Sequence, residues 1–411
     1  MTTKKGLSFV GVISFVLVFL LFSFSFVSGQ PASSAPKTIK IGASISLTGR
    51  FAAGGTDVAD GYKIAVKHIN DDGGLFIKEY NKKIPIELII YDDESDPSKT
   101  VTRLEKLNSV DKVVAYLGEF ASDMNIAGLG IAEKNKIPWV GITIAVENAF
   151  NQGFKYTFAP NMFSYMEVAA FFNALDSIPK DQRPKKIANF ELQVDWGKEC
   201  TKYLHQYAKE RGYTIALEQK YAPDTKDFAS LILAAKSAGC DAVFSVPTPP
   251  QSMALIKQMK ELDYAPKATC FVRGPDLSNY WQVMGKDANY ILTSGEWTPE
   301  MPYTGNKKLV ADYRAQYPNK PIGMPVGNGY SAFQVLADAI TKAGKLDREA
   351  IRQALTTTDI MTVKGRVTFD KRGIGNVPWV LAQWQNGKLE IVVSPDYKPA
   401  PLLLAPPWSK R

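Results

Sequence analysis

Two hydrophobic periods alternate along most of the chain. TIKIGASISL (38–47) is a β-rich run, and the segment after it sets Val58, Tyr62, Ala65, Val66 and Ile69 on one helical stripe closed by Gly73-Gly74. IPIELIIYD (84–92) has the composition of a buried strand. Helix 98–108, strand 113–118, helix 123–135 and strand 137–142 are predicted next. The pattern restarts after FKYTFAP (154–160), with helix 164–175, strand 186–192, helix 197–211 and strand 213–220. Phe228, Leu231, Ile232 and Ala235 then recur at helical spacing. Strand 241–246, helix 251–263 and strand 269–273 complete a second unit. Helices near 306–317 and 328–343 precede VTFD and VPWVLAQWQNGKLEIVV, where Asn386-Gly387 predicts a hairpin turn. LLLAPPWSKR reads as a tail. Such alternation, with mostly short connections, predicts an α/β protein of two similar halves, each a mostly parallel sheet flanked by helices.

The first 29 residues depart from this pattern. Lys4 and Lys5 precede the uncharged run LSFVGVISFVLVFLLFSFSFV, and small residues follow at Ser28-Gly29. This predicts a signal peptide over 1–29 and a leader over 30–36, hence export to the periplasm. An uncleaved N-terminal membrane anchor is the alternative, since about 20 apolar residues span a bilayer. Loss of Lys4 and Lys5 would take the net charge from +8 to +6. Bases and acids alternate, and no basic-aromatic block points to nucleic acid. Cys200, Cys240 and Cys270 are too few, and odd in number, for a disulfide framework. The chain exceeds one ordinary core, so two domains are expected.

Motifs for chemistry are sparse. The G-x-S-x-G turn, the P-loop, H-E-x-x-H and a complete G-x-G-x-x-G are absent, which argues against an enzyme and names no cofactor. His68 and His205 lie on predicted helices with no obvious carboxylate partner, so surface or packing roles are expected. YDDESDPSKT (91–100) packs four carboxylates into five positions but lacks the ligand spacing and central glycine of a calcium loop. Asp96 before Pro97 instead suits a helix N-cap with proline at the first helical position. No metal is expected. Ser122 opens a helix at the carboxyl end of a strand. Its hydroxyl either caps that helix or faces a cleft, where a helix start is a prepared anion site and ligands of open α/β sheets bind.

Several segments, in order, resemble the periplasmic solute-binding proteins of branched-chain amino acid ABC importers (type I periplasmic binding proteins). They are IKIGASISLTGRFAAGGTDVADGYKIAVKHINDDGG, YDDESDPSKTVTRLEKL, LGEFASDMNIA, IPWVGITIA, VDWGKECTKYL, DTKDFASLILAAKSAGCDAVFSV and VKGRVTFD. The resemblance covers nearly the whole mature chain. It implies two lobes joined by three hinge crossovers near 157–163, 295–301 and 378–385. Lobe one would combine 37–160 with 300–380, and lobe two 164–296 with 381–411. Ligand would sit between them.

The resemblance carries site residues over unevenly. Ser122 matches the serine that holds the ligand carboxylate, with Ala121 in the same loop. Thr143 lies in the following loop, but Ala145 stands where the family has a threonine. Trp196 matches the aromatic residue that covers the ligand. The family's ammonium-binding glutamate is not evident; Arg273-Gly274-Pro275-Asp276 occupy its place. Gly54 replaces a tyrosine of some relatives, leaving Arg50 and Phe51 as wall candidates. A buried ammonium needs acceptors, whereas Arg273 offers a planar fork to a carboxylate. Asp276 supplies an anion only if its loop bends inward. Phe51 and Trp297 have packing alternatives. The implied function is capture of a small carboxylate-bearing ligand, an amino acid or an aromatic or aliphatic acid, for a membrane permease and ATPase. A monomer is expected. A ligand-binding sensor and a secreted α/β enzyme are the competing readings.

Overall fold

The computed structural model describes residues 34–394 and 399–411. The predicted signal peptide lies outside them. Among the described residues no helix is long and apolar enough to cross a membrane.

Two parallel-rich sheets organise the chain. The first has five strands in the order Ile86–Asp92, Ile39–Ile45, Ala115–Leu117, Trp139–Val140, Thr157–Phe158, all parallel. In the second, five parallel strands (Ile291–Gly295, Ala268–Phe271, Ala242–Ser245, Lys186–Leu192, Thr214–Tyr221) are extended by the antiparallel hairpin Val380–Gln385 and Lys388–Val393. That hairpin turns at Asn386-Gly387, both at positive φ, as the dipeptide predicts. After Gly295 the chain returns to the first sheet's side as helices Asn306–Gln316 and Met324–Ala343. The second of these packs along helix Ala52–Asp71. The two backbones touch closely there: a Cβ on Gly61 would lie 2.2 Å from the carbonyl oxygen of Val326. The result is a two-lobed α/β protein in which the chain crosses between sheets three times.

The crossings are pinned by buried charge. Glu296, just beyond strand Ile291–Gly295, accepts a hydrogen bond from the Met162 amide. Its other carboxylate oxygen lies 2.5 Å from Nζ of Lys364. Lys364 is fully buried and also donates to the Pro160 carbonyl.

Some sequence expectations needed correction. The predicted strands 137–142 and 269–273 are observed as Trp139–Val140 and Ala268–Phe271, which leaves Arg273 on a loop; Thr143 lies on a loop, as expected. The helix expected from 328 begins at Met324, with Pro325 in its first turn. The C-terminal segment docks on the second sheet's side: Trp408 Nε1 donates to Tyr264 O at 2.8 Å, and Gln383 exchanges two hydrogen bonds with the Leu403 backbone. Both histidines have carboxylate partners after all, His68 with Asp312 at 2.6 Å and His205 with Glu218 at 2.7 Å. Those partners are distant in sequence or on the adjoining strand. Cys200, Cys240 and Cys270 are free and buried.

Removing the ammonium from the hinge pair strands Glu296 in a dry site. Lys364→Met is expected to cost about 3–5 kcal/mol in urea denaturation, as loss of one partner of a buried pair does. Addition of Glu296→Gln should return part of it. A loss below about 1 kcal/mol for the single variant would show that the pair is solvated.

Candidate functional site

The acidic cluster divides its work. Asp96 caps helix Pro97–Lys106, accepting from the Ser98 amide at 2.8 Å, as expected. Asp93 does more than the predicted capping. It is fully buried and accepts from the hydroxyls of Ser44 (3.1 Å), Ser46 (2.7 Å) and Thr100 (3.1 Å). Ser46 Oγ also lies 3.0 Å from Oε1 of buried Glu119. One hydroxyl has one hydrogen, so a proton on Glu119 satisfies the second contact. Burial, and then the neighbouring Asp93, raise the Glu119 carboxyl well above its ordinary range, in agreement. This network fixes the loop that leads into Ser122. Among the described residues no cluster of His, Cys, Asp and Glu is arranged to hold a metal.

Ala121, not Ser122, occupies the N-cap of helix Ser122–Asn135, and it contributes no side-chain acceptor. Ser122 is the first helical residue. Its hydroxyl donates to the Thr143 carbonyl and accepts from the Ala145 amide, both at 3.2 Å, bracing two loops together. Thr143 has φ near +49°, uncommon for a β-branched residue. Its hydroxyl holds that conformation by donating towards the carbonyls of Phe120 and Glu119. Ala145 is committed as well, since its carbonyl accepts from the amide and hydroxyl of Ser164. Among the described residues the first-turn amides at Ser122 and Asp123 have neither an intrahelical acceptor nor a capping side chain.

These two residues line a cavity of about 370 Å³ together with Arg50, Phe51, Trp196 and Arg273. Asp123 is paired with Arg50 at 2.7 Å and Asp195 with Lys198 at 3.1 Å. Arg273 differs from these. It is 7% exposed, and among the described residues its guanidinium donates no hydrogen bond. Aromatic rings surround it instead, with the guanidinium carbon 4.3 Å from the Trp196 centroid, 4.7 Å from that of Phe120 and 5.9 Å from that of Phe51. Burial draws its pKa below the usual value, opposed by Asp276, Asp123, Glu167 and Glu119 at longer range.

Trp196 stands at the start of helix Asp195–Arg211. Gly197 lets that helix meet the strand end: a Cβ there would lie 1.9 Å from the Leu192 carbonyl oxygen. Trp196 Nε1 donates to Oε2 of Glu167 at 2.7 Å. Glu167 is a functional candidate that the sequence reading missed, although a single acid in the apolar run YMEVAAFF was visible. Burial pushes its carboxyl up to about 8, against the Trp196 hydrogen bond and Arg273. Asp276 turns back onto its own loop, accepting from the Gly274 amide at 2.7 Å, and burial raises it to about 6. Thr143, Trp196, Arg273, Glu167 and Asp276 line a second, smaller cavity of about 50 Å³. Ala121 and Ala145 line neither space. Trp297 packs, its Nε1 donating to Asn306 at 2.7 Å.

The periplasmic binding protein family model matches residues 38–388. The Leu/Ile/Val-binding protein homolog 7 of Brucella suis is 26% identical over 380 residues, covering 89% of this chain and 93% of that one. Among solved structures, the LivJ branched-chain amino acid substrate-binding protein of Streptococcus pneumoniae, in complex with isoleucine, is similar with a TM-score of 0.77 at 22% identity, covering 87% of this chain and 100% of that one. A solute-binding protein of an ABC transporter from Rhodopseudomonas palustris, in complex with 3,4-dihydroxybenzoic acid, has a TM-score of 0.73 at 22% identity, covering 86% and 95%.

The buried Glu167 carboxyl has a signed pH effect. Its folded pKa lies near 8 against an ordinary 4.5, so its contribution is fully present below about 4.5 and is lost as pH rises through about 8. Glu167→Gln keeps an acceptor for Trp196 and does not titrate. The variant should lose less stability than the parent between pH 5 and 8, by a few kcal/mol at about 1.4 kcal/mol per pKa unit. Parallel thermal scans of both proteins across that range check this; superimposable profiles would mean the carboxyl is ionised throughout.

Proposed function

The chain belongs to the periplasmic binding protein family, and on that premise we propose that it is the exported solute-binding component of an ABC importer, without enzymatic activity. It captures a small carboxylate-bearing molecule between two lobes, 37–160 with 300–380 and 164–296 with 381–411, and delivers it to a membrane permease. The observation that carries the ligand class is Arg273, a buried guanidinium with no hydrogen-bond acceptor among the described residues, in the wall of the cavity that the helix start at Ser122 also lines. A carboxylate between them answers the guanidinium with a charge-assisted, planar contact and meets the uncapped amides of the helix. Lobe one contributes the helix start and lobe two the guanidinium, so a bound anion favours closure by touching both. The relatives' ligands support a carboxylate without choosing its body: one neighbour holds isoleucine and another 3,4-dihydroxybenzoic acid.

A thermal-shift screen of amino acids, benzoate-type acids and short aliphatic acids identifies the ligand, because a molecule that binds only the native state raises the melting temperature. Arg273→Met should then weaken the best ligand by about 100-fold in calorimetry, the scale of a lost charged hydrogen-bond pair. It should weaken a carboxamide analogue far less. Equal losses for acid and amide would make Arg273 a packing residue. Ser122→Ala frees the Thr143 loop and should weaken binding several-fold with the fold intact; unchanged affinity would remove that tip from the site.

A further inference from the structure

The smaller cavity holds polar atoms that the rest of the fold leaves unanswered. Its lining includes Glu167, Arg273, Asp276, Ser294, Glu296 and Asn328. Ser294 is the penultimate residue of the strand Ile291–Gly295, and Asn328 lies on helix Met324–Ala343. Both are more than nine-tenths buried, at 5% and 6% exposure. Among the described residues Ser294 Oγ and Asn328 Oδ1 have no hydrogen-bond partner. Leaving such groups unpaired costs about 1–3 kcal/mol each, so two orphans lining one space point to something that enters it. Trp196 and Arg273 line both this chamber and the larger cavity, which makes the two spaces neighbours across the residues that face the ligand.

We propose that this chamber is a second polar subsite, which receives a neutral hydroxyl group carried by the carboxylic acid ligand. The inference rests on the carboxylate reading above and adds a second recognised group to it. A hydroxyl both donates and accepts, so one oxygen can take the hydrogen of Ser294 and give its own to Asn328 Oδ1. An ammonium has no lone pair for the Ser294 hydrogen, and it would be placed beside the like charge of Arg273. The acids of the chamber do not offset that disadvantage. Glu296 is paired with Lys364, Asp276 already accepts from its own loop, and Glu167 already accepts from the Trp196 indole. A volume of about 50 Å³ admits a hydroxyl and the atom that bears it but no second ring. The ligand body itself belongs in the larger, aromatic-walled cavity.

Calorimetry on the full chain tests this with two matched series. One is 4-methylpentanoate, 2-hydroxy-4-methylpentanoate and leucine; the other is benzoate, 3-hydroxybenzoate and 4-hydroxybenzoate. In at least one series the hydroxylated acid should bind about tenfold more tightly than its parent, the effect of filling an unpaired buried polar site. In Ser294→Ala and Asn328→Leu that ratio should fall below about threefold, with folding checked by circular dichroism. Comparing ratios within each variant removes any general loss of affinity. Parent acids that bind as tightly as their hydroxylated forms, or a ratio that survives both substitutions, would overturn the subsite and leave the carboxylate reading standing; the chamber would then hold water only. Preference for leucine over its hydroxy analogue, lost in the variants, would overturn the neutral hydroxyl in favour of an ammonium. No binding of any of the acids would overturn the carboxylate reading and this inference with it.

Discussion

A lysine and a glutamate taken out of water constrain how the two sheets can be joined. An isolated charge in an apolar interior costs several kcal/mol, and the cost is met only where partners are placed with good geometry. Lys364 finds Glu296 and the Pro160 carbonyl; Glu296 finds Lys364 and the Met162 amide. Two of the chain crossings, at Pro160–Met162 and at Glu296, are thereby tied to the strand region that leads to the third. Against a well-packed apolar substitute such a pair adds little stability. What it adds here is geometry, since the crossings cannot shift singly without orphaning a charge. Glu296 and Met162 also line the smaller cavity, so the hinge and the proposed binding region share a wall.

The charges of the cleft follow the same rule with a different outcome. Arg50–Asp123 and Lys198–Asp195 are partly exposed pairs, which contribute little to stability. They leave neither acid free to meet a ligand ammonium. Glu167 is kept largely protonated by burial and spends its acceptor on the Trp196 indole, holding in place the ring that stacks on Arg273. Among the described residues Arg273 is left with three aromatic faces and no acceptor. Cation–π contact offsets part of its desolvation, but it satisfies none of five N–H donors. An anion with two oxygens fits that deficit better than any group already in the wall.

Legibility in the sequence tracked the distance over which each feature is determined. The α/β alternation, the Asp96–Pro97 cap and the Asn386-Gly387 hairpin are set by near neighbours, and they were readable. The hinge pair was not: Lys364 and Glu296 are far apart in the chain, and nothing local marks either as buried. His68 and Asp312 illustrate the same point. Ser122 was placed at a helix start by its local pattern. Its N-cap role failed because the loop around Thr143, folded against it from the next strand, draws the hydroxyl away. The C-terminal segment looked like a tail because prolines interrupt it, whereas Leu402, Leu404 and Trp408 find apolar surface on the second sheet's side. Arg273 stood out as a departure from the family pattern, whereas its aromatic surroundings are set by Phe51, Phe120 and Trp196, which are distant in the chain.

The contacts that join the proposed lobes are built so that separation leaves few charges stranded. Asp57, fully buried on helix Ala52–Asp71, accepts from the amide and hydroxyl of Ser278 at 3.1 and 2.9 Å across the cleft. It also holds Lys320, a residue of its own lobe, at 2.8 Å, and would keep that partner on opening. Glu199 accepts from the amides of Glu147 (2.7 Å) and Asn148 (3.0 Å) across the divide, and from the Ser164 hydroxyl at 2.9 Å on its own side. Opening therefore exchanges neutral donors for water at both anions without breaking either anion's local contact. The net value of each such hydrogen bond to a carboxylate is about 1.5–3 kcal/mol. The carboxylate proposed to bridge Arg273 and the Ser122 helix start would make charge-assisted contacts of the same scale. Binding can thus decide the position of the lobes, which a hinge locked by strong direct contacts would not allow.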